Sequence, residues 1–265
     1  MTTTRETTTA PARLDGTKGL AWIVLAASIL EVVAPVLTIN GPGESPGSGA
    51  GDELLITPVG WAFSIWGVIY TLAIAQAVAV IVRGPGSVPR RLQVAQTVLY
   101  VGGAVWIVMA AIGSPYLTAA ALLVMLVAAL VAVSAVARTA FEPRWFSVLT
   151  RAAVGLFAGW VTAAFFLNVS TALVETGAVE PDQLGWQLVV LGVAVLTLLT
   201  MIVRIGGIPA YASAGTWALV GIAVRGSQDG TTEVLYGAIA AAVVVVLAAT
   251  AVRLRAPRAG HVGRD

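Results

Sequence analysis

The sequence has no cysteine, a single histidine and few charged residues for its length. Without cysteine the chain cannot form disulfides, thiolate nucleophiles or zinc–sulfur sites. The histidine, His261, lies in the polar C-terminal tail, so the apolar segments contain no imidazole for haem ligation, metal binding or proton relay. Charged residues make up 11% of the 265 residues, whereas soluble domains average about 25%. A surface with so little charge must face lipid.

The hydrophobic residues, 58% of the chain, are collected into long runs. A helix needs about 20 mainly apolar residues to cross a bilayer. The first run is too long for the apolar part of a signal peptide, so we interpret it as a retained helix. The sequence predicts an all-α, polytopic membrane helix bundle of about eight transmembrane helices. The predicted spans are 19–39, 59–82, 92–113, 116–137, 147–174, 184–204, 208–224 and 233–254.

The positive charges test this number of spans. In an eight-helix arrangement, all but one of the 15 lysine and arginine residues fall on the side of the two termini, and the exception is Arg225. The positive-inside rule therefore predicts that both termini lie in the cytoplasm. The expected location is the plasma membrane. Because the basic residues act as topology signals, no nucleic-acid partner is expected. The opposite side carries Glu44, Asp52, Glu53, Glu175, Glu180, Asp182, Asp229 and Glu233.

The predicted organisation has four parts. Residues 1–18 form a disordered, Thr-rich cytoplasmic leader, and residues 255–265 form a basic cytoplasmic tail. Residues 19–174 contain the first five spans, and residues 175–254 contain three more. The longest outer loop, residues 40–58, is rich in Gly, Pro and Ser and is expected to be flexible. It is either a tether between two helices or a lid over an outward-facing cavity, and both interpretations stay open.

An aromatic strip opens the second span, in the stretch TPVGWAFSIWGVIY. Phe63, Trp66 and Tyr70 are spaced at i, i+3 and i+7, which places them on one helix face. Interfacial anchoring accounts for Trp61, which follows the loop directly. Tyr70 lies roughly 18 Å deeper than Pro58 at the rise of an α-helix, where a hydroxyl needs a partner or a wet cavity. Cavity lining and simple packing are both open for this face.

The fifth span carries a second face of this kind. Trp160, Ala164 and Asn168 are spaced at i, i+4 and i+8. Small residues such as Gly159 permit close helix approach or leave room for a ligand. Asn168 is polar within an apolar span and is expected to turn inward. Its position favours a structural hydrogen bond between helices over a ligand contact.

Glu31 is the only acidic residue in the interior of a predicted span, since Glu233 is the first residue of its span. An intramembrane carboxylate is costly and is a functional-site hypothesis by default. Three arrangements are open: a protonated carboxyl, a carboxyl paired with a Trp or Tyr donor, and a carboxyl near the outer third of the helix that reaches interfacial water. Proton or cation coupling is the functional hypothesis for this residue.

Two of these stretches resemble the TspO/MBR family, the tryptophan-rich sensory or translocator proteins. TPVGWAFSIWGVIY is similar to the start of the family's second helix, in which a Pro-Gly-Trp-x-Phe pattern is followed by a Trp and then by a Tyr four residues on. WVTAAFFLN resembles the last core helix of the family, where an Asn follows a Trp by eight residues. Trp106 falls where the third helix usually carries an aromatic residue. The resemblance covers about residues 19–174.

The sequence departs from the family pattern in three respects. Phe63 and Trp66 are three residues apart, whereas the usual pattern has four and an extra proline. The third helix commonly has Asn three residues before its aromatic, and here that place holds Gly103, so ligand preference is expected to differ. The family has five helices, and this chain is predicted to add three after residue 180, which is typical of a longer related branch.

The resemblance implies a TspO-like five-helix core plus three C-terminal helices, with a cavity for a flat, apolar ligand such as a porphyrin, another tetrapyrrole or a sterol-like molecule. It implies a sensory or regulatory protein; the alternative is a small-molecule transporter that uses Glu31 and the extra helices. The lipid bilayer and the hydrophobic ligand are the expected partners, and a homodimer is left open. No cofactor, metal or enzymatic activity is expected, since the spans contain neither histidine nor a carboxylate pair. The residues that the resemblance assigns to the cavity are Trp61, Phe63, Trp66, Tyr70, Trp106, Trp160, Ala164 and Asn168.

Overall fold

A computed structural model describes residues 14–38 and 54–255 of the chain. This described part contains eight α-helices and no strand. The all-α bundle predicted from the apolar runs is therefore confirmed. The predicted boundaries agree to within a few residues, except that α2 starts at Ile65 rather than at residue 59. The helices α1 to α8 are Lys18–Thr38, Ile65–Arg83, Arg90–Ala111, Pro115–Ala137, Arg144–Glu175, Leu184–Arg204, Pro209–Gln228 and Thr232–Arg255.

Seven of the described helices are long and apolar enough to cross a membrane, and α7 is the one that is not. α7 has the length of a span, 20 residues, but ten of these residues are buried in the bundle. A helix enclosed by protein needs less lipid-compatible surface than one that faces the bilayer. α8 is the opposite case, since it buries only three residues, Val234, Ala238 and Val245.

The helices form one connected bundle. α1 packs on α2 and α3, α3 packs on α4, and α4 packs on α5. The last three helices join the first five mainly where α7 packs on α5, with a smaller contact between α5 and α6. α8 in turn packs on α7 and α6.

Two glycines one turn apart allow α5 and α7 to approach closely. A β-carbon on Gly159 would collide with the backbone of Tyr211 and lie 2.9 Å from Ala214 Cβ. A β-carbon on Gly155 would lie 3.0 Å from Ala210 Cβ and 3.1 Å from the Tyr211 nitrogen, in the first turn of α7. This spacing is the small-xxx-small pattern that brings membrane helices into backbone contact. The hydroxyls of Thr162 and Tyr211 are hydrogen-bonded at 3.0 Å across the same interface.

Three predicted segments fall largely outside the described residues: the leader up to residue 13, the tail after Arg255 and most of the outer loop. The described end of that loop is attached to the bundle. Leu54 and Ile56 are buried, and the Ile56 N–H donates to Gln187 Oε1 of α6 at 3.4 Å. The chain is therefore positioned by the C-terminal helices before it enters the aromatic stretch.

Candidate functional site

Trp66 of α2 lies at the centre of an aromatic cluster. Its indole stacks on Tyr70 with ring centroids 5.3 Å apart and on Trp106 of α3 with centroids 5.7 Å apart. Phe157 and Trp160 of α5 meet the same indole edge-on at 5.8 and 6.2 Å. Stacked and edge-on contacts are the favourable arrangements for aromatic pairs. These five residues, which we call the Trp66 cluster, therefore hold three helices together.

Phe63 reaches this cluster from a 3-10 helix. The second span begins with the 3-10 helix Gly60–Ser64, and α2 starts only at Ile65. The prediction that one continuous α-helix carries Phe63 and Trp66 is corrected in this respect. Side chains three residues apart lie in line in a 3-10 helix, so the spacing of three keeps Phe63 on the side of the cluster. Its ring contacts Trp160 edge-on at 5.8 Å.

Trp61 lies away from the Trp66 cluster. Its ring pairs edge-on with Trp217 of α7 at 5.0 Å, and it is 47% exposed. The Trp217 indole N–H donates to the Ala62 carbonyl at 2.7 Å. The Val59 N–H donates to the Gly221 carbonyl at 3.2 Å. α7 therefore holds the 3-10 helix in place. Trp217, which makes part of this contact, was not assigned to the site from the sequence.

Asn168 connects α5 to the cluster. Its Oδ1 accepts the Trp106 indole N–H at 3.1 Å, and its Nδ2 donates to the Ala164 carbonyl at 3.0 Å. This is the hydrogen bond between helices that the position of Asn168 favours. Of the eight residues assigned to the cavity from sequence, the structure brings all except Trp61 into one network of contacts.

The Glu31 side chain is buried between α1 and α3, next to the cluster. It is 1% exposed, and a β-carbon on Gly103 would lie 2.6 Å from Glu31 Cδ. Gly103 precedes Trp106 by about one turn, so the carboxyl lies beside the cluster. Within residues 14–38 and 54–255, neither carboxyl oxygen has a hydrogen-bond partner. This burial disagrees with the arrangement in which Glu31 reaches interfacial water.

Buried polar groups continue along the same face of α3. Gln96 Nε2 donates to Gln76 Oε1 at 2.8 Å and to the Tyr100 hydroxyl at 3.1 Å. All three side chains are at most 1% exposed. The sequence analysis missed Gln76, Gln96 and Tyr100, although glutamines inside apolar spans were a signal that could have identified them.

The site combines flat apolar surfaces with unsatisfied polar groups. Trp160 Nε1 is buried and, like the Glu31 carboxyl, has no hydrogen-bond partner in the described part of the chain. Such an arrangement can stack a planar molecule and hydrogen-bond its polar atoms. Among the described residues, no group of three or more His, Cys, Asp or Glu side chains is placed to hold a metal ion.

Comparison with known families identifies this architecture. A family model described as TSPO-like protein matches residues 20–251. The match begins in α1 and ends in α8, so it includes the last three helices together with the first five. Comparison with curated proteins and with solved structures gives no significant match. Since the family match covers most of the chain and the helices are of membrane length, the chain is an integral, multi-pass membrane protein that belongs to the TSPO-like family.

Proposed function

We propose that this protein binds a flat, largely apolar ligand at the Trp66 cluster and acts as a sensory or regulatory protein of the plasma membrane, with both termini in the cytoplasm. One observation supports ligand binding above the others. Rings from α2, α3 and α5 converge on Trp66 beside two buried groups, Trp160 Nε1 and the Glu31 carboxyl, that lack partners in the described residues. An unsatisfied buried polar group costs about 1–3 kcal/mol. A planar ligand with a polar atom would stack on the rings and remove part of that cost.

A tetrapyrrole such as a porphyrin fits this proposal better than a sterol-like molecule. Both have a flat apolar face, but only the tetrapyrrole has a conjugated plane that can stack on indole rings. A carbonyl or carboxylate at its edge would accept the unpartnered Trp160 N–H. Because Trp66 already stacks on Tyr70 and Trp106, the ligand enters the cluster only if a ring changes its rotamer. Binding should therefore change tryptophan fluorescence.

The test is a titration of the purified, full-length protein with protoporphyrin IX, followed by intrinsic tryptophan fluorescence. We expect saturable quenching. An aromatic contact contributes about 0.5–1.5 kcal/mol, and Phe keeps a smaller ring that retains part of it, so Trp66→Phe and Trp160→Phe should each weaken the apparent affinity by up to about twelve-fold. Trp22→Phe is the matched control, since Trp22 on α1 is 52% exposed and outside the cluster.

Two outcomes would contradict the proposal. Without saturable quenching by protoporphyrin IX or another tetrapyrrole, the protein does not bind this ligand class. If Trp22→Phe weakens binding as much as Trp66→Phe does, the ligand binds elsewhere on the protein.

Transport of a small molecule is a second candidate, and the position of Glu31 supports it. An intramembrane carboxyl without a hydrogen-bond partner is the kind of group that takes up a proton or another cation during transport. Glu31 lies beside the proposed ligand site, against Gly103. A change in its charge would therefore alter its electrostatic interaction with a bound ligand. Of the three C-terminal helices, α7 reaches the site through Trp217 and the 3-10 helix.

A further inference from the structure

We propose a second site, for an anionic phospholipid, in a cleft between α3 and α4. The cleft has a volume of about 730 Å³ and shares no lining residue with the Trp66 cluster. It extends along the first half of α3 and the middle of α4. This site is independent of the ligand proposed for the cluster.

The walls of the cleft are suited to an acyl chain. Val94 and Val98 on α3 face Val124 and Val127 on α4 across the cleft. These four side chains are between 40% and 57% exposed. In a membrane-spanning segment, side chains with this exposure contact lipid chains rather than water. The cleft therefore presents branched aliphatic surface to the bilayer on two sides.

The mouth of the cleft is basic. Arg90 and Arg91 begin α3, and both side chains are exposed. Within the two described stretches, neither guanidinium forms an ion pair. Asp15 is the acidic residue at the mouth, and its Oδ1 accepts the backbone N–H of Arg90 at 2.7 Å. It therefore caps the helix and leaves the two guanidinium groups available to an anion.

Along the membrane normal, the basic mouth and the apolar walls of the cleft follow each other in the same order as the headgroup and acyl chains of a phospholipid. Arg90 and Val98 are separated by roughly 12 Å of helix rise, so the charged mouth is followed inward by apolar walls. The charge distribution predicts that this end of the bundle is cytoplasmic, where anionic lipids attract basic residues. A soluble anion would use the arginines alone, whereas a lipid with a negative headgroup uses both parts of the cleft.

The test compares binding of dioleoylphosphatidylglycerol and dioleoylphosphatidylcholine to the full-length protein by native mass spectrometry. We expect the anionic lipid to be preferred. Each arginine near an anionic lipid surface contributes about 1 kcal/mol, so Arg90→Gln with Arg91→Gln should reduce the preference about thirty-fold in total, or about five-fold per residue. Val127→Trp should narrow the cleft between its apolar walls and reduce binding of both lipids.

Arg138→Gln with Arg144→Gln is the matched control. It removes the same charge from exposed arginines at the same end of the bundle but outside the cleft, and it should leave the preference unchanged. Equal binding of the two lipids to the wild-type protein, or equal losses in the two double variants, would overturn the proposal. It would also be overturned if Val127→Trp changed the monomer–dimer equilibrium without changing lipid binding, since the cleft would then hold a second copy of the chain.

Discussion

The close contact of α5 with α7 depends on Gly159, and Gly159→Ala should disrupt it. A β-carbon at this position would collide with the Tyr211 carbonyl oxygen and lie 3.1 Å from its carbon, with Ala214 Cβ at 2.9 Å. The obstacle is mainly the backbone of another helix, which cannot rotate aside as the end of a long side chain can. We expect α7 to move away from α5.

The size of the effect follows from two opposing contributions. Overpacking costs about 1–3 kcal/mol, and contact with backbone places Gly159→Ala in the upper part of that range. Alanine is favoured over glycine within a helix by up to about 1 kcal/mol, which leaves a net loss of about 1–2 kcal/mol. In a protein of similar size, 1 kcal/mol corresponds to about 2–4 °C in Tm. Gly159→Ala should therefore lower Tm by about 2–8 °C.

The assay is thermal unfolding of the purified protein in a single detergent, followed by circular dichroism. Gly192→Ala on α6 is the matched control, because the same substitution in a helix there places a β-carbon with nothing within 4 Å. Its Tm should stay the same or rise, since only helix propensity changes. If Gly159→Ala raises Tm as much as Gly192→Ala does, the inferred backbone contact between α5 and α7 does not form.

Two other substitutions have clear expected outcomes. Trp217→Phe keeps a ring against Trp61 but removes the N–H donated to Ala62, so amide hydrogen exchange across Gly60–Ser64 should become faster; unchanged exchange would show that this bond does not hold the 3-10 helix. Glu31→Gln keeps the size of the side chain and removes its ionisable group. If Glu31 couples transport to protons, this variant abolishes pH-dependent flux in vesicles, whereas unchanged flux removes Glu31 from the mechanism.

The helices could be predicted from sequence because apolar runs of bilayer length are a strong signal, and the arginines supplied an independent test of their number. The 3-10 start of the second span could not be predicted in this way. The 3-10 helix is held by hydrogen bonds from Trp217 to Ala62 and from Val59 to Gly221. In each pair the residue on α7 lies 155 or more residues further along the chain. Local sequence contains no information on such a partner.

The sequence could predict which residues of the site share a helix face, but not which residues on other helices they contact. Spacing placed Trp160 and Asn168 on one face of α5, but it could not show that Asn168 bonds to Trp106. The same limit applies to Gly159, for which the sequence left open close helix approach or room for a ligand. In the structure, Gly159 allows α5 to approach α7 closely. α7 is the helix whose sequence has the weakest apolar signal.

Gly103 and Glu31 are best understood as a pair. Where the third helix of TspO proteins commonly carries Asn, this chain has glycine, and the space beside it is occupied by the Glu31 carboxyl from α1. A side chain at position 103 would displace that carboxyl, so each residue depends on the other. In this chain the polar group beside position 103 therefore comes from α1 rather than from α3, and it is a carboxyl rather than an amide. A carboxyl offers one O–H donor when protonated and only acceptors when ionised, whereas an amide offers two N–H donors and an acceptor, so the ligand preference should differ from that of a site with an amide.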